Sequence, residues 1–142
     1  MLNRTRRFVL AALPLAALAL MTASGAAASD TAKTRANIPF AFDLNGQRFD
    51  AGLYIFECRF GTGLITVTPQ EGERHAFLGR PLGDPSSAQD PKLVFYKVDD
   101  TYYLAELWLA GSGMGKGLPV KKEIEFSARR GDAKRIVVAL SR

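Results

Sequence analysis

Few side chains in this chain could do covalent or metal chemistry, and their spacing limits what that chemistry could be. The sequence holds one histidine, His75, and one cysteine, Cys58. A zinc site draws three or four ligands from His, Cys and carboxylates, and these two residues read as members of different strands. A Ser-His-Asp triad would have to bring Ser86, Ser87 or Ser112 to His75, yet no nucleophile-elbow sequence surrounds any of the three. Glu57 and Glu106, or the adjacent Asp99 and Asp100, could cleave a glycoside only if two carboxyls faced each other across a cleft, about 5–10 Å apart. His75 therefore reads as a hydrogen-bonded strand histidine. Cys58 reads as a small core hydrophobe with an inert thiol, the alternative being an intermolecular disulfide.

The glycine-rich run Gly111-Ser112-Gly113-Met114-Gly115-Lys116-Gly117 invites comparison with phosphate-binding loops. A P-loop needs Gly, four residues, then Gly-Lys-Ser/Thr, so that backbone amides cradle phosphate and a hydroxyl meets Mg²⁺. Ala110 occupies the first position and Gly117 stands where the hydroxyl belongs. The dinucleotide spacing fails as well, because Lys116 replaces its third glycine. The run reads as a loop, and no cofactor site emerges.

Charge gives the other candidate. The whole chain carries 19 basic and 14 acidic side chains. Three of the arginines, Arg4, Arg6 and Arg7, precede the apolar run Val9–Met21, and Ala26-Ala27-Ala28 follows it. Positive start, apolar centre and small-residue end are the three parts of a secretory signal, with cleavage expected before Ser29. The apolar run is shorter than the roughly 20 residues a spanning helix needs. The pattern implies export by the general secretory route to the periplasm or beyond.

Without that segment sixteen basic residues face fourteen acidic ones, which removes the case for nucleic-acid binding. What remains is lopsided. Residues 111–142 hold eight basic and three acidic side chains, whereas residues 29–110 hold eight and eleven. Lys116, Lys121 and Lys122, then Arg129, Arg130, Lys134 and Arg135, form the candidate contact surface for an anionic cell-envelope component.

The elements that would carry these residues are mostly strands. Residues 29–37 are small and polar, and read as a flexible leader. Ile38, Phe40, Phe42 and Leu44 alternate with smaller or polar neighbours, and Asn45-Gly46 is suited to a type I′ hairpin turn. Leu53–Phe60 puts Tyr54, Phe56, Cys58 and Phe60 on one face. Further strands are expected over 64–68, 74–79, 93–98 and 136–140. Thr101–Ala110 is apolar on both faces and reads as a central strand. Loops are expected over 81–91 and 111–119. Val120–Arg130 suits a short helix ended by Gly131, with a strand as the alternative.

Seven or eight short strands and no crossover helix predict one all-β domain, a small antiparallel sandwich or barrel over 38–142. Asn37-Ile38-Pro39-Phe40-Ala41-Phe42, Ala51-Gly52-Leu53-Tyr54, Leu93-Val94-Phe95-Tyr96 and Tyr103-Leu104-Ala105-Glu106-Leu107-Trp108 resemble a group of small exported proteins of acidobacterial type. That resemblance implies export and a β-rich fold, and it carries no chemistry.

Three function classes follow. The first is a non-enzymatic binding module at the cell envelope. The second is a carrier of a small apolar ligand, its interior lined by Phe40, Phe42, Tyr54, Phe56, Tyr102 and Trp108. The third is a hydrolase built on the carboxylates or on His75.

Overall fold

The computed structural model describes residues 30–83, 90–109 and 114–141; the predicted signal segment, Ser86, Ser87 and Ser112 lie outside them. Four strands make one antiparallel sheet: β1 (Thr31–Ile38), β4 (Gly52–Arg59), β5 (Leu64–Pro69) and β6 (His75–Leu78), in the order β1-β4-β5-β6. The second sheet runs β11 (Lys134–Ala139), β8 (Lys92–Val98), β9 (Thr101–Trp108), β10 (Met114–Gly117) and β7 (Arg80–Gly83). A short hairpin, β2 (Phe42–Leu44) and β3 (Gln47–Phe49), joins this sheet where β2 pairs in parallel with Tyr102 and Tyr103 of β9. Helix α1 (Lys122–Arg130) connects β10 to β11.

The two sheets are tied at both margins, so the sandwich approaches a closed barrel. On one side a single residue, Gly79, separates β6 from β7, and the strand passes from one sheet into the other. A Cβ at Gly79 would stand 2.6 Å from Ile65 Cδ1 and 3.2 Å from Lys116 Cβ, which leaves glycine as the residue for this corner. On the other side Arg35 of β1 and Ser141, just beyond β11, exchange backbone hydrogen bonds of 3.2 and 3.1 Å. Closure of this kind removes free strand edges that would otherwise pair with another chain.

Alternation sets the core. Tyr54, Phe56 and Cys58 of β4 point inward with Ile65 and Val67 of β5, opposite Leu93, Phe95, Leu104 and Leu107 of the second sheet. Phe42 sits at the centre, its ring 5.3 Å from Phe49, 5.3 Å from Tyr54 and 5.5 Å from Phe95. Offset and edge-on contacts of this kind add stability beyond the area they bury. Asn45 (φ 53°) and Gly46 (φ 80°) make the expected tight turn, and the Asp43 carboxylate accepts from Gly46 N–H at 2.9 Å. Helix α1 ends as predicted: Gly131 is left-handed (φ 82°), and the next amide, Asp132 N–H, donates to Ser127 C=O at 2.9 Å.

Three expectations need correction. The segment expected as a leader contains a strand: Thr31–Ile38 pairs along its whole length with Gly52–Arg59. Its inward positions, Ala32, Thr34, Ala36 and Ile38, are mostly small, so the segment lacks the hydrophobicity that marks other strands. Pro39 then separates β1 from β2 where one strand was expected. The loops expected over 81–91 and 111–119 each contain a short strand, β7 and β10, which pair with each other.

The buried and exposed phenylalanines predict opposite outcomes. Phe42→Ala should cost about 3–5 kcal/mol, whereas Phe126→Ala on the outer face of α1 should change stability by less than about 0.5 kcal/mol. Urea denaturation measures both, and comparable losses would contradict this placement of the core.

Candidate binding face

The outer face of the second sheet owes its composition to one irregularity in β9. Phe95 pairs with Leu104 and Val94 with Glu106, so Ala105 is an extra residue, a β-bulge. Strict alternation would put Leu104, Glu106 and Trp108 on the same face. The extra residue resets the phase. Tyr102, Leu104 and Leu107 turn inward, while Glu106 and Trp108 turn out. The apparent two-faced apolarity of this strand is therefore a change of phase along one buried face.

Neighbouring strands are matched to those outward residues. Gly115 and Gly117 of β10 lie opposite Trp108 and Glu106. The indole lies directly over Gly115, where a Cβ would stand 2.6–2.8 Å from three ring carbons. Lys92 Nζ stands 5.8 Å from the centre of the same ring. Arg80 crosses Gly117, where a Cβ would be 3.0 Å from Arg80 Cγ, and reaches Glu125 of α1 at 3.2 Å. Gly115 and Gly117 thus give clearance to large side chains from other strands.

Between α1 and this face lies a groove of about 190 Å³. Glu106, Tyr96 and Gly117 line it, with Arg80 on one wall and Glu125 and Arg129 on the helix side. The Glu106 carboxylate is held mainly through one oxygen. Trp108 Nε1–H donates to Oε2 at 2.8 Å, and an Arg135 nitrogen lies 4.0 Å from the same atom. Among the described residues Oε1 receives only the Tyr96 hydroxyl, at a long 3.4 Å. Burial raises the Tyr96 phenol above its ordinary pKa, and the neighbouring Glu106 charge adds to the effect; Arg135 and Arg80 oppose it.

The opposite side of α1 faces water. Ile124 is buried beneath the helix, whereas Phe126 is 56% exposed. Lys122 and Arg130 lie one turn before or after Phe126 and share its face with Glu123, whereas Arg129 stands at the groove. Arg130 pairs with Asp132 at 3.4 Å. Lys121, Lys122, Arg129 and Lys134 are exposed, with no ion pair to any described residue.

The predicted site residues divide accordingly. Lys121, Lys122, Arg129, Arg130, Lys134 and Arg135 lie on α1 and β11, at the surface. Lys116 does not belong with them. It is 6% exposed and opposite inward-facing Leu107, so it points into the barrel, where its charge reaches the Cys58 thiol. Burial outweighs that charge and pushes the thiol pKa up.

Of the proposed ligand lining, Phe42, Tyr54 and Phe56 are core residues, and Phe40 stacks on Tyr102 with centroids 3.8 Å apart. Trp108 is on the outside, away from the other five. Glu57 faces outward from the first sheet and pairs with Lys33 at 3.2 Å, so it shares no cleft with Glu106. His75 meets Gln47 through Nδ1 at 3.2 Å and sits edge-on to Phe49. Among the described residues no three His, Cys, Asp or Glu side chains gather as metal ligands. No family model, curated protein or solved structure matches the chain.

Two measurements test this geometry. Gly115→Ala must tilt the indole off β10, so Trp108 emission should shift and stability fall by about 1–3 kcal/mol; an unchanged spectrum would contradict the close approach. The Tyr96 phenol keeps its proton to higher pH in the fold than in the unfolded chain. Its stabilising contribution is therefore complete below about pH 10 and is lost as pH rises beyond that. Tyr54 and Cys58 are displaced in the same direction, both chiefly by burial. Tyr96→Phe should make the alkaline loss of stability shallower without abolishing it. An identical pH profile would count against the Tyr96 environment described above.

Proposed function

We propose that this chain is an exported, non-enzymatic binding domain that docks on anionic lipid headgroups of the cell envelope through the outer face of α1. Exposed Phe126, with Lys122 and Arg130 one turn away on its face and Glu123 beside it, carries the reading. An aromatic side chain left in water at the centre of a helix is unfavourable unless something covers it, and the surrounding cations select a negative surface. An apolar side chain flanked by Lys and Arg is a feature of helices that lie in the membrane interface. Export rests on Arg4, Arg6, Arg7 and the apolar run that follows them.

Each basic residue near an anionic leaflet contributes about 1 kcal/mol. Burying the exposed part of a phenylalanine contributes about as much. Cosedimentation with phosphatidylglycerol vesicles, compared with pure phosphatidylcholine, tests the proposal. Binding should prefer the anionic vesicles and weaken with added salt. Replacing Lys121, Lys122, Arg129 and Arg130 by Ser should weaken it by at least about tenfold. Phe126→Ser should weaken it about tenfold while leaving the salt dependence in place. Equal binding to both vesicle types, or indifference to salt and to all five substitutions, would overturn the reading.

A further inference from the structure

The groove on the other side of α1 presents different chemistry, and it does not rest on the docking reading. Its charges nearly balance. Glu106 and Glu125 line it with Arg80 and Arg129, and Arg135 approaches Glu106 from β11. An anionic ligand would meet two carboxylates and a cationic one would meet the guanidinium groups, so the groove favours a neutral guest rich in hydrogen bonds.

The donors and acceptors are already oriented. Trp108 and Arg135 hold Glu106 through Oε2 and leave Oε1 turned to the long Tyr96 contact. A carboxylate accepts up to about four hydrogen bonds, so Oε1 has capacity to spare. Arg80 uses one nitrogen on Glu125 and carries further N–H donors. Hydroxyls on adjacent carbons would use these groups, one donating to Glu106 and the next accepting from Arg80, or from the Tyr96 O–H once it turns from its long contact with Glu106. Ala105, Leu82 and Gly117 offer small or apolar surface to the C–H side of a sugar ring.

We propose that the groove between α1 and the second sheet binds a vicinal diol of a sugar, with Glu106 as acceptor and Arg80 and Tyr96 as donors. The guest is a free saccharide or the glycosyl headgroup of a lipid, which share this chemistry. Trp108 is the only tryptophan in the chain, and its indole N–H bonds the carboxylate that would receive the diol. Ligand binding therefore has a built-in reporter.

The test is titration of the exported protein with glucose, galactose and mannose, and separately with phosphatidylcholine vesicles with and without a glycosyl diacylglycerol. The Trp108 indole N–H resonance and emission are followed. A saturable shift with one of the hexoses at millimolar concentration supports a free-saccharide site. A shift only with glycolipid vesicles supports a headgroup site.

In either case Glu106→Gln and Tyr96→Phe should weaken the response by about tenfold or more, the loss expected for a charge-assisted hydrogen bond. Melting curves would show that both variants are folded. A variant with Lys121, Lys122 and Phe126 replaced by Ser, none of which lines the groove, should respond to hexose like the parent, which separates this site from the docking face. No saturable response to any hexose or to the glycolipid would overturn the proposal. So would a response undiminished in both Glu106→Gln and Tyr96→Phe.

Discussion

One extra residue in β9 determines which side chains this protein shows to its surroundings. With Ala105 bulged, the inward row runs Tyr102, Leu104, Leu107, and the outward row carries Glu106 and Trp108. Without it, a carboxylate and an indole N–H would enter an apolar interior, where an uncompensated charge is prohibitively unfavourable. Keeping Leu104 in place and extending the strand regularly would also turn Leu107 out to water. The bulge resolves both problems, and the site is built on the resulting face.

The rest of the architecture holds that face still. Gly79 lets one strand serve both sheets, which brings Arg80 and Leu82 alongside β10. Leu118 N–H donates to Ala105 C=O at 2.8 Å, so the chain leaving β10 is pinned at the bulge before it enters α1. The Arg80–Glu125 pair then links the helix to the corner strand. Exposed pairs of this sort contribute little stability, and this one matters for where it sets the helix. Glu106 gains its orientation from Trp108, whose ring is placed by the absence of a side chain at Gly115.

Much of the fold was legible because period-two alternation reports a half-buried strand directly. Leu53–Phe60 follows that rule, Leu93–Val98 is instead an apolar run with Leu93, Val94 and Phe95 all buried, and Asn45-Gly46 and Gly131 have the positive φ that their residue types favour. The parts that escaped share a cause: their residue types answer to partners far away in sequence. β1 looks like a leader because Ala32, Thr34 and Ala36 are small, and that size suits a closely packed wall. β10 looks like a loop because Gly115 and Gly117 suggest freedom, when they make room for Trp108 and Arg80. Lys116 looks like a surface cation until the pairing of β10 with β9 turns it inward.

The candidate site was visible only in pieces. Glu106 stood out as a carboxylate and Trp108 as an aromatic, each attached to a different function. Their i, i+2 spacing was a usable signal, since it puts them on one face of a strand. Tyr96, Arg80 and Glu125 required the register of three strands and the docking of α1, none of which a local pattern contains.

The bulge is the claim on which the account turns, and backbone NOEs in isotope-labelled protein test it most directly. Cross-strand contacts should connect Phe95 with Leu104 and Val94 with Glu106, skipping Ala105, and the Trp108 indole should contact Gly115. A continuous ladder with Val94 opposite Ala105 would place Glu106 and Trp108 on the inner face and contradict the account.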